Sequence, residues 1–447
     1  MTEKINCDCE LCRKKLPFDL PDDIIKATLN GDLVIFAGAG ISTETKTIFR
    51  ETLYDDVLAD LNKTSKDQLD FPSLMTLYCK TNVNGRQKLV QKIKYRFDYC
   101  QQFSELYNQA SQFHQELSSI HYIKSIFTTN WDDYFEKECG AIPIVIPEDF
   151  AFHNLPDRKV YKIHGSVSNY GTVVATKEDY DKCYRVLNKG ILGSYMKTIL
   201  ATKTVVFVGY SFRDYDFLRI YNYLKKELKS ILPHCYIVTP DSKVPEGLRN
   251  NNLTVIKTDG AFFISTIRKH LEGSKYLIPK DRIETIYALR TILRKIHIQT
   301  SDQILKNKQA NLIYCAFYQD GMKHAFDYLI FHASSGLSFF PPKIFDSVDS
   351  YRNVLRREKL KAGNYADLAY IDGYIVGIQS MILVDDIDQF PFWFIYGLGP
   401  VSDKKIFDKA IKRKEVFHKQ ADSYGKRLFK KVLMDSTEIV YHHTPFL

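Results

Sequence analysis

The sequence predicts an α/β fold: a doubly wound, mostly parallel sheet with a helical insertion, followed by a smaller α+β C-terminal domain. Two observations support this. From about residue 20 to 270, short apolar, β-favouring runs alternate with stretches of helical apolar spacing, as in parallel strands joined by helices. Beyond Asn311 the chain is richer in aromatic residues and β-formers. We therefore predict a first domain over 1–275, a helical connector over 276–309 and a second domain over 310–447.

Length and composition indicate a folded protein of two or three domains. The chain has 447 residues, of which 45% are hydrophobic and 13% aromatic, so disorder is not expected. Its net charge of +9 (62 Lys and Arg against 53 Asp and Glu) comes from interspersed residues, so nucleic-acid binding is possible but not indicated. No apolar run approaches the ~18 residues of a membrane helix, and the first residues lack a signal core. We expect a cytoplasmic protein without a membrane partner.

Cysteine usage suits a reducing compartment, because six of the nine cysteines are scattered singly. The exception is a cluster of Cys7, Cys9 and Cys12, which could hold zinc or belong to a free N-terminal segment. No fourth ligand stands nearby, so no metal is expected. Likewise Asp385, Asp386 and Asp388 could suggest a cation site, although carboxylates between apolar segments usually form a solvated loop.

The chain is organised around one strand and the loop that follows it. A short helix begins at Asp22, and the apolar run Leu33–Ala37 is then a strand buried on both faces. It breaks into Gly38-Ala39-Gly40-Ile41-Ser42, where the backbone can approach a ligand closely. A strand, glycine loop and helix in succession form a phosphate cradle, since loop amides and the helix N-terminus favour an anion. Thr43 occupies the place of a third glycine, so a tight turn is an equal alternative.

Further elements complete the Rossmann-like pattern. Helical apolar spacing after the glycine loop predicts a mostly helical insertion before the chain returns to the sheet. We predict the remaining strands at 126–129, 144–146, 160–163, 204–208, 235–238 and 253–256. Helices are predicted from about 177, from about 191 and over 261–271.

The second domain carries two local signals. Asp372-Gly373 lies between β-favouring residues and predicts a hairpin, because Asp-Gly suits a primed turn. Near the end, an amphipathic helix is predicted to place apolar residues on one side and Lys and Arg on the other. Its apolar side comprises Phe407, Ile411, Phe417, Ala421, Tyr424 and Leu428. This helix could dock a partner or simply pack with a solvated cationic face.

Four polar clusters each follow a predicted strand, and in a doubly wound sheet such strand ends converge on one crevice. They are Gly38-Ala39-Gly40-Ile41-Ser42, Thr129-Asn130-Trp131-Asp132, His164-Gly165 and Gly209-Tyr210-Ser211. In this order and strand context, residues 20–270 resemble the sirtuin family, specifically the sirtuin-like domains of bacterial defence proteins. Any one motif is common, whereas all four together are specific.

The resemblance implies a site for NAD. Gly38, Ala39, Gly40 and Ser42 would hold the pyrophosphate, and Gly209 and Ser211 the adenosine side. Asn130 and His164 would face the nicotinamide ribose. The full set of implied NAD-binding residues is Gly38, Ala39, Gly40, Ile41, Ser42, Thr129, Gly209, Tyr210, Ser211 and Asp214, and the catalytic candidates are Asn130, His164 and Asp132.

Elementary chemistry agrees with these roles. Cleavage of the nicotinamide–ribose bond expels a neutral leaving group and leaves an oxocarbenium-like sugar, so the site must position water and accept one proton. Asn130 can orient the water or the ribose hydroxyls, and His164 is the natural base. Asp132 could stabilise the cation, but Asp132 and Asp214 could equally be helix caps. Most of the twelve histidines are expected to be structural.

Departures from the deacylase pattern decide the expected reaction. Protein deacylases of the family carry two zinc-binding cysteine pairs after the His-Gly motif, whereas this interval holds only Cys183. Lys46-Thr47-Ile48-Phe49-Arg50 also lacks the proline and aspartate of the deacylase loop. The resemblance therefore points to hydrolysis of NAD, as substrate, to nicotinamide and ADP-ribose in antiphage defence.

Partners and alternative functions remain open at this stage. An unrestrained NAD hydrolase would kill its host, so the C-terminal region is expected to gate activity through a homo-oligomer or a partner such as a hexameric ATPase. A protein deacylase or ADP-ribosyltransferase is one alternative. A non-catalytic sensor of NAD or ADP-ribose is another, although the presence of both Asn130 and His164 argues against it.

Overall fold

A computed structural model describes residues 16–42, 48–63, 69–210, 222–223, 225–226, 234–240, 252–384 and 386–433. The chain divides into two compact units, Met1–Leu271 and Glu272–Leu447. Within the described residues, no helix combines the length and apolar character needed to cross a membrane.

The first unit is built on a seven-stranded sheet in which every pairing is parallel. Its strands are β1 (Leu33–Ala37), β2 (Ser125–Thr128), β3 (Ile142–Ile144), β4 (Lys159–Lys162), β5 (Thr204–Val208), β6 (Cys235–Val238) and β7 (Leu253–Ile256). Their order across the sheet is β3-β4-β2-β1-β5-β6-β7. The chain winds outward from β1 in both directions, so the predicted doubly wound fold is confirmed and its switch point lies at β1.

The sheet centre is held by a row of aromatic side chains. Phe36 of β1 is in register with Phe127 of β2 and Phe207 of β5. Its ring centroid lies 5.7 Å from that of Phe127 and 5.2 Å from that of Phe207, and all three rings are fully buried. Cross-strand aromatic contacts of this kind fix the register of the strands. The ends of β1, β2 and β5 therefore have defined relative positions.

The predicted strand over 144–146 lies two residues earlier, at Ile142–Ile144. Local hydrogen bonding explains the shift. The amides of Val145 and Ile146 donate to Asp149 Oδ2 at 2.8 and 3.0 Å, so they cannot also pair with a neighbouring strand. The apolar side chains of these two residues predicted a strand that the aspartate ends.

Nine helices among the described residues accompany the sheet, besides the helical residues 222–223 and 225–226. They are α1 (Asp22–Leu29), α2 (Leu53–Asp60), α3 (Phe71–Thr81), α4 (Gly85–Gln102), α5 (Ser104–Ser118), α6 (Tyr134–Cys139), α7 (Lys177–Lys189), α8 (Ile191–Thr202) and α9 (Gly260–Gly273). Helices α2–α5 lie between β1 and β2 and form the predicted helical insertion. Thr52 and Asp70 begin α2 and α3 by accepting hydrogen bonds from Asp55 N and Ser73 N.

A buried arginine binds the C-terminal ends of two helices, α5 and α6. The Arg158 guanidinium, which precedes β4, donates to five backbone carbonyls. Those oxygens belong to Leu117, Ser118, Ile120, Ile123 and Cys139 at distances of 2.7–3.5 Å. Carbonyls at helix C-termini lack intrahelical partners, and a cation there also interacts favourably with the negative end of the helix dipole. One side chain thus closes the ends of α5 and α6.

The second unit is mainly helical, with one small antiparallel hairpin. Its helices are α10 (Arg282–Asn307), α11 (Ala310–Phe331), α12 (Pro341–Ser350), α13 (Arg356–Lys361), α14 (Tyr365–Leu383), α15 (Lys404–Arg413) and α16 (Lys419–Leu433). The hairpin pairs β8 (Trp393–Ile395) with β9 (Gly399–Val401), and Gly397 in their loop has φ +95°. Helix α10, predicted as a connector, packs on α11 within this unit.

The predicted hairpin at Asp372-Gly373 is wrong, because both residues lie inside α14. Gly373 meets a different need there. A Cβ at Gly373 would overlap the carbonyl oxygen of Tyr318 in α11, and one at Gly321 of α11 would overlap the carbonyl of Tyr370. These glycines let two buried helices touch backbone to backbone.

Gly373→Ala is expected to lower the free energy of unfolding of the second unit by about 1–3 kcal/mol, because overpacking forces the helices apart. Urea denaturation of the purified chain measures it. Gly273→Ala is the matched control, since a Cβ there meets nothing within 4 Å. Equal stability of the two variants would contradict the close helix packing.

The single amphipathic helix predicted near the end is also wrong in extent. Helix α15 ends at Arg413, the following Lys414 has φ +56°, and α16 begins at Lys419. The amide of Glu415 donates to Ala410 O, which closes the last turn. Phe407, Ile411 and Ala421 are buried as predicted, whereas Phe417 lies exposed between the helices.

The acidic cluster considered as a cation site forms a solvent-facing turn, in which Asp386 accepts a hydrogen bond from Asp388 N. Asp385 is outside the described residues.

Candidate active site

The carboxyl ends of β1, β2 and β5 are joined at one carbonyl group. Ala37 O accepts hydrogen bonds from Thr129 N at 3.2 Å, Thr128 Oγ1 at 2.9 Å and Tyr210 OH at 3.0 Å. The Tyr210 and Thr129 hydroxyls are themselves 3.0 Å apart. Thr129 and Tyr210, predicted to bind NAD, therefore tie three strand ends together in this structure.

Three predicted glycines allow the loops after β1 and β5 to touch. A Cβ at Gly38 would lie 2.6 Å from the Tyr210 ring, and one at Gly40 would lie 2.8 Å from Gly209 O. Gly209 has φ +77°, which favours glycine. Gly38 N donates to Val208 O at 2.8 Å and Gly40 N to Gly209 O at 2.9 Å. These two amides serve the contact between loops.

The rest of the glycine loop is a short 3-10 turn, Ala39–Ile41. The amides of Ile41 and Ser42 donate to Gly38 O and Ala39 O, so they too are used within the loop. Gly40 is exposed, Ala39 is half-buried and the Ile41 side chain is buried. The surface that this loop offers to a ligand is therefore made by Ala39 and Gly40.

Three buried polar side chains form a hydrogen-bonded chain beneath that loop. Ser42 Oγ donates to Asp132 Oδ2 at 2.9 Å and accepts from Asn130 Nδ2 at 3.3 Å. The exposed fractions of Ser42, Asn130 and Asp132 are 2%, 5% and 2%. Because the serine hydroxyl donates its hydrogen bond to the carboxylate, the serine oxygen accepts the hydrogen bond from the NH₂ group of Asn130. Asn130 Oδ1 is left as an acceptor and has no hydrogen-bond partner among the described residues.

Asp132 holds both the serine and the next helix. Its Oδ1 accepts from Tyr134 N at 3.3 Å at the start of α6, as the capping alternative predicted, and its catalytic role stays a prediction. Burial raises the pKa of the Asp132 carboxyl, while the Lys162 ammonium and the Ser42 hydroxyl act to lower it.

His164 lies on the loop next to Asn130. Thr128 of β2 is in register with Lys162 of β4, so Asn130 and His164 each stand two residues beyond the same pair. Val167 N donates to Trp131 O at 2.8 Å, which joins the two loops. His164 is 2% exposed, and its ring packs edge-on against Tyr180 with centroids 4.9 Å apart.

Gly165 allows the chain to turn directly after His164. Its φ is +81°, and a Cβ there would overlap the carbonyl oxygen of Thr172. Ser166 N then donates to Thr172 Oγ1 at 3.0 Å. The His-Gly pair is thus required by the geometry of the loop that carries the imidazole.

Two residues around the site, Tyr180 and Lys162, were not identified from the sequence. Tyr180 of α7 carries no signal that separates it from a core tyrosine. Lys162 could have been noticed, since a lysine interrupts the buried run Val160-Tyr161-Lys162-Ile163. Its exposed fraction is 0%, and Nζ donates to Asp132 O and, at 2.9 Å, to Glu136 Oε1.

Other predicted positions lie beyond the described ranges. Ser211 and Asp214, and the cluster of Cys7, Cys9 and Cys12, are outside the described residues. Within those residues, no three His, Cys, Asp or Glu side chains are grouped so that they could hold a metal ion.

Comparison with known proteins shows that part of the same region is similar to a known family. Residues 124–259 match the family described as SIR2-like domain. The NAD(+) hydrolase ThsA of Enterococcus faecium is 31% identical over 201 residues, or 44% of this chain and 40% of that protein. ThsA of Cytobacillus dafuensis is 29% identical over 200 residues, 43% and 38% of the two chains. Defense-associated sirtuin 2 of Bacillus subtilis is 25% identical over 256 residues, 53% and 23%.

The alignments leave most of each relative uncovered, because the chain spans at most 40% of the length of these three proteins. The matched region includes the loops that carry Asn130, His164 and Gly209. Together with the parallel sheet, the matches confirm the resemblance of this part of the chain to the sirtuin-like family.

Proposed function

We propose that the first unit hydrolyses NAD at the nicotinamide–ribose bond and releases nicotinamide and ADP-ribose. The observation that carries the proposal is the buried Asn130 amide, fixed by Ser42 and Asp132 on the loop beside His164. The relatives named NAD(+) hydrolase support the same reaction. These side chains lie at the carboxyl ends of parallel strands, near the switch point at β1. Such folds bind their ligands there, which supports a dinucleotide substrate.

In the proposed reaction, departure of neutral nicotinamide leaves positive charge on the ribose. Asn130 Oδ1 accepts a hydrogen bond from the attacking water or a ribose hydroxyl, and the His164 imidazole takes the proton that water loses. The oxygen bonds to the anomeric carbon as the carbon–nitrogen bond breaks, so one NAD and one water give nicotinamide, ADP-ribose and a proton. The Asp132 carboxylate, held by Ser42, contributes negative charge beside the developing cation.

Product analysis of the purified chain with NAD tests this function. We expect free nicotinamide and free ADP-ribose in equal amounts, separated by chromatography, because water is the acceptor. Acyl-linked or protein-linked ADP-ribose would instead support a deacylase or transferase. NAD binding without turnover at any protein concentration would favour a sensor.

We infer further that the activity serves antiphage defence in the cytoplasm and is gated through the second unit. An NAD hydrolase that is always active would deplete its own host, and one relative is named a defence-associated sirtuin. Gating by a homo-oligomer predicts specific activity that rises with protein concentration. Gating by a partner such as a hexameric ATPase predicts activity only when that partner is added. Specific activity that is constant at all dilutions and high without any partner would contradict gating.

A further inference from the structure

Lys162 is a buried cation directly beneath the candidate site. It is the last residue of β4, its side chain is fully buried, and Nζ reaches the backbone oxygen of Asp132. The same nitrogen lies 2.9 Å from Glu136 Oε1 in α6. One ammonium group therefore joins the strand that leads to His164, the loop that carries Asn130 and the helix after it.

Burial of this ion pair calls for an explanation. Moving two charges out of water is expensive, and an apolar pair of similar volume is often as stable or more so. The charged and titratable groups that interact with Lys162 are Glu136, Asp132 and His114, of which His114 is buried with its pKa lowered to about 3 by burial. His114 is thus neutral near neutral pH, and the one further carboxyl group among these partners of the pair is that of Asp132.

The contacts around Asp132 link the ammonium to the Asn130 amide. Lys162 donates a hydrogen bond to the backbone oxygen of Asp132, while the carboxylate of Asp132 accepts a hydrogen bond from Ser42 Oγ. Ser42 in turn accepts from Asn130 Nδ2. A shift of the Asp132 backbone would move the serine and rotate the amide away from its present orientation.

We propose that Lys162 and Glu136 form a buried positioning pair that sets the backbone of Asp132 and thereby aims the Asn130 amide for the reaction on NAD. This inference rests on the proposed function. Neither residue touches the substrate in this role. Their removal is therefore expected to lower kcat while leaving KM for NAD nearly unchanged, because remote parts of the dinucleotide still bind.

The test compares wild type with Lys162→Met and with the double variant Lys162→Met/Glu136→Met, which removes both charges of the pair. Lys159→Met is the matched control. Lys159 is a buried lysine on the same strand, but its Nζ donates to Leu155 O and Asp157 O at the opposite end. For each protein we would measure kcat and KM for NAD, the melting temperature, and amide hydrogen exchange over residues 129–133.

We expect the double variant to melt closer to the wild-type temperature than Lys162→Met does, since Glu136 is no longer left as a buried charge without its partner. Its kcat should still be at least about 30-fold lower, with KM within about 3-fold, and exchange at 129–133 should be faster. Lys159→Met should keep wild-type kcat. Recovery of kcat together with stability in the double variant would overturn the inference, as would an equal loss of kcat in Lys159→Met.

Glu136→Gln keeps the side-chain shape, so it tests the positioning role of the pair even where a methionine variant does not fold. A lowered kcat at unchanged melting temperature supports the positioning role, and an unchanged kcat overturns it. If wild type turns over NAD and all variants equal it, only this inference fails. If wild type does not turn over NAD under any condition of the product analysis, the proposed function fails.

Discussion

Asn130→Ala and His164→Ala are each expected to lower the rate of NAD hydrolysis by at least about 100-fold, the lower range for loss of general acid–base or positioning groups. Asn130 Oδ1 is an acceptor without a hydrogen-bond partner among the described residues, and His164 lies on the adjoining loop. If both act on the same water, the double variant should be little worse than the poorer single variant. Release of ADP-ribose, measured by chromatography, reports the rate.

Two surface substitutions control for nonspecific loss. Asn108→Ala and His270→Ala change the same residue types at exposed helical positions of the first unit and its border. Both should keep wild-type rates, and the melting temperatures of all four variants should be compared. An Asn130 or His164 variant that stays folded and retains more than about a tenth of the activity would contradict its catalytic role.

Arg158→Met is expected to lower the free energy of unfolding of the first unit by about 3–5 kcal/mol. The substitution removes a donor from five buried carbonyl groups, of which those of Leu117 and Ile120 keep the backbone amides of Ile120 and Ile123. Each buried acceptor left unsatisfied costs about 1–3 kcal/mol, and partial relaxation reduces the sum. Calorimetric or urea unfolding of the full chain measures the change.

The control for Arg158 is Arg185→Met. Arg185 is exposed on α7 and donates only a local bond to Asp181 O at 3.2 Å among the contacts described for it, so its loss should change stability by less than about 0.5 kcal/mol. Arg158→Lys should lie between the two, since three ammonium donors cannot serve five acceptors. Wild-type stability in Arg158→Met would show that water replaces the guanidinium at these helix ends.

The sheet could be predicted because its strands carry their signal locally. Leu33–Ala37 and Thr204–Val208 are β-favouring, mostly apolar runs, and a glycine follows each of them. Such a run by itself indicates a strand that is buried on both faces. The convergence of Asn130 and His164 followed from topology, because the ends of adjacent parallel strands must meet.

Other features depend on partners that are distant in sequence. Gly373 carries the same local signal in a turn as in a close helix contact, and only the position of Tyr318 decides between them. Gly38 and Gly40 predicted an anion cradle and Gly209 an adenosine contact, whereas in the structure a Cβ on any of the three would overlap the facing loop. Nothing in the sequence separates Arg158 from a surface cation, because its acceptors are backbone oxygens contributed by other elements.

The most direct test of the account is a crystal structure of the His164→Ala variant with NAD bound, because slow turnover should preserve the substrate. We predict the pyrophosphate against Ala39 and Gly40, and a hydroxyl of the nicotinamide ribose within hydrogen-bond distance of Asn130 Oδ1, about 2.6–3.2 Å. A dinucleotide whose nicotinamide ribose lies away from both Asn130 and position 164 would contradict the central claim.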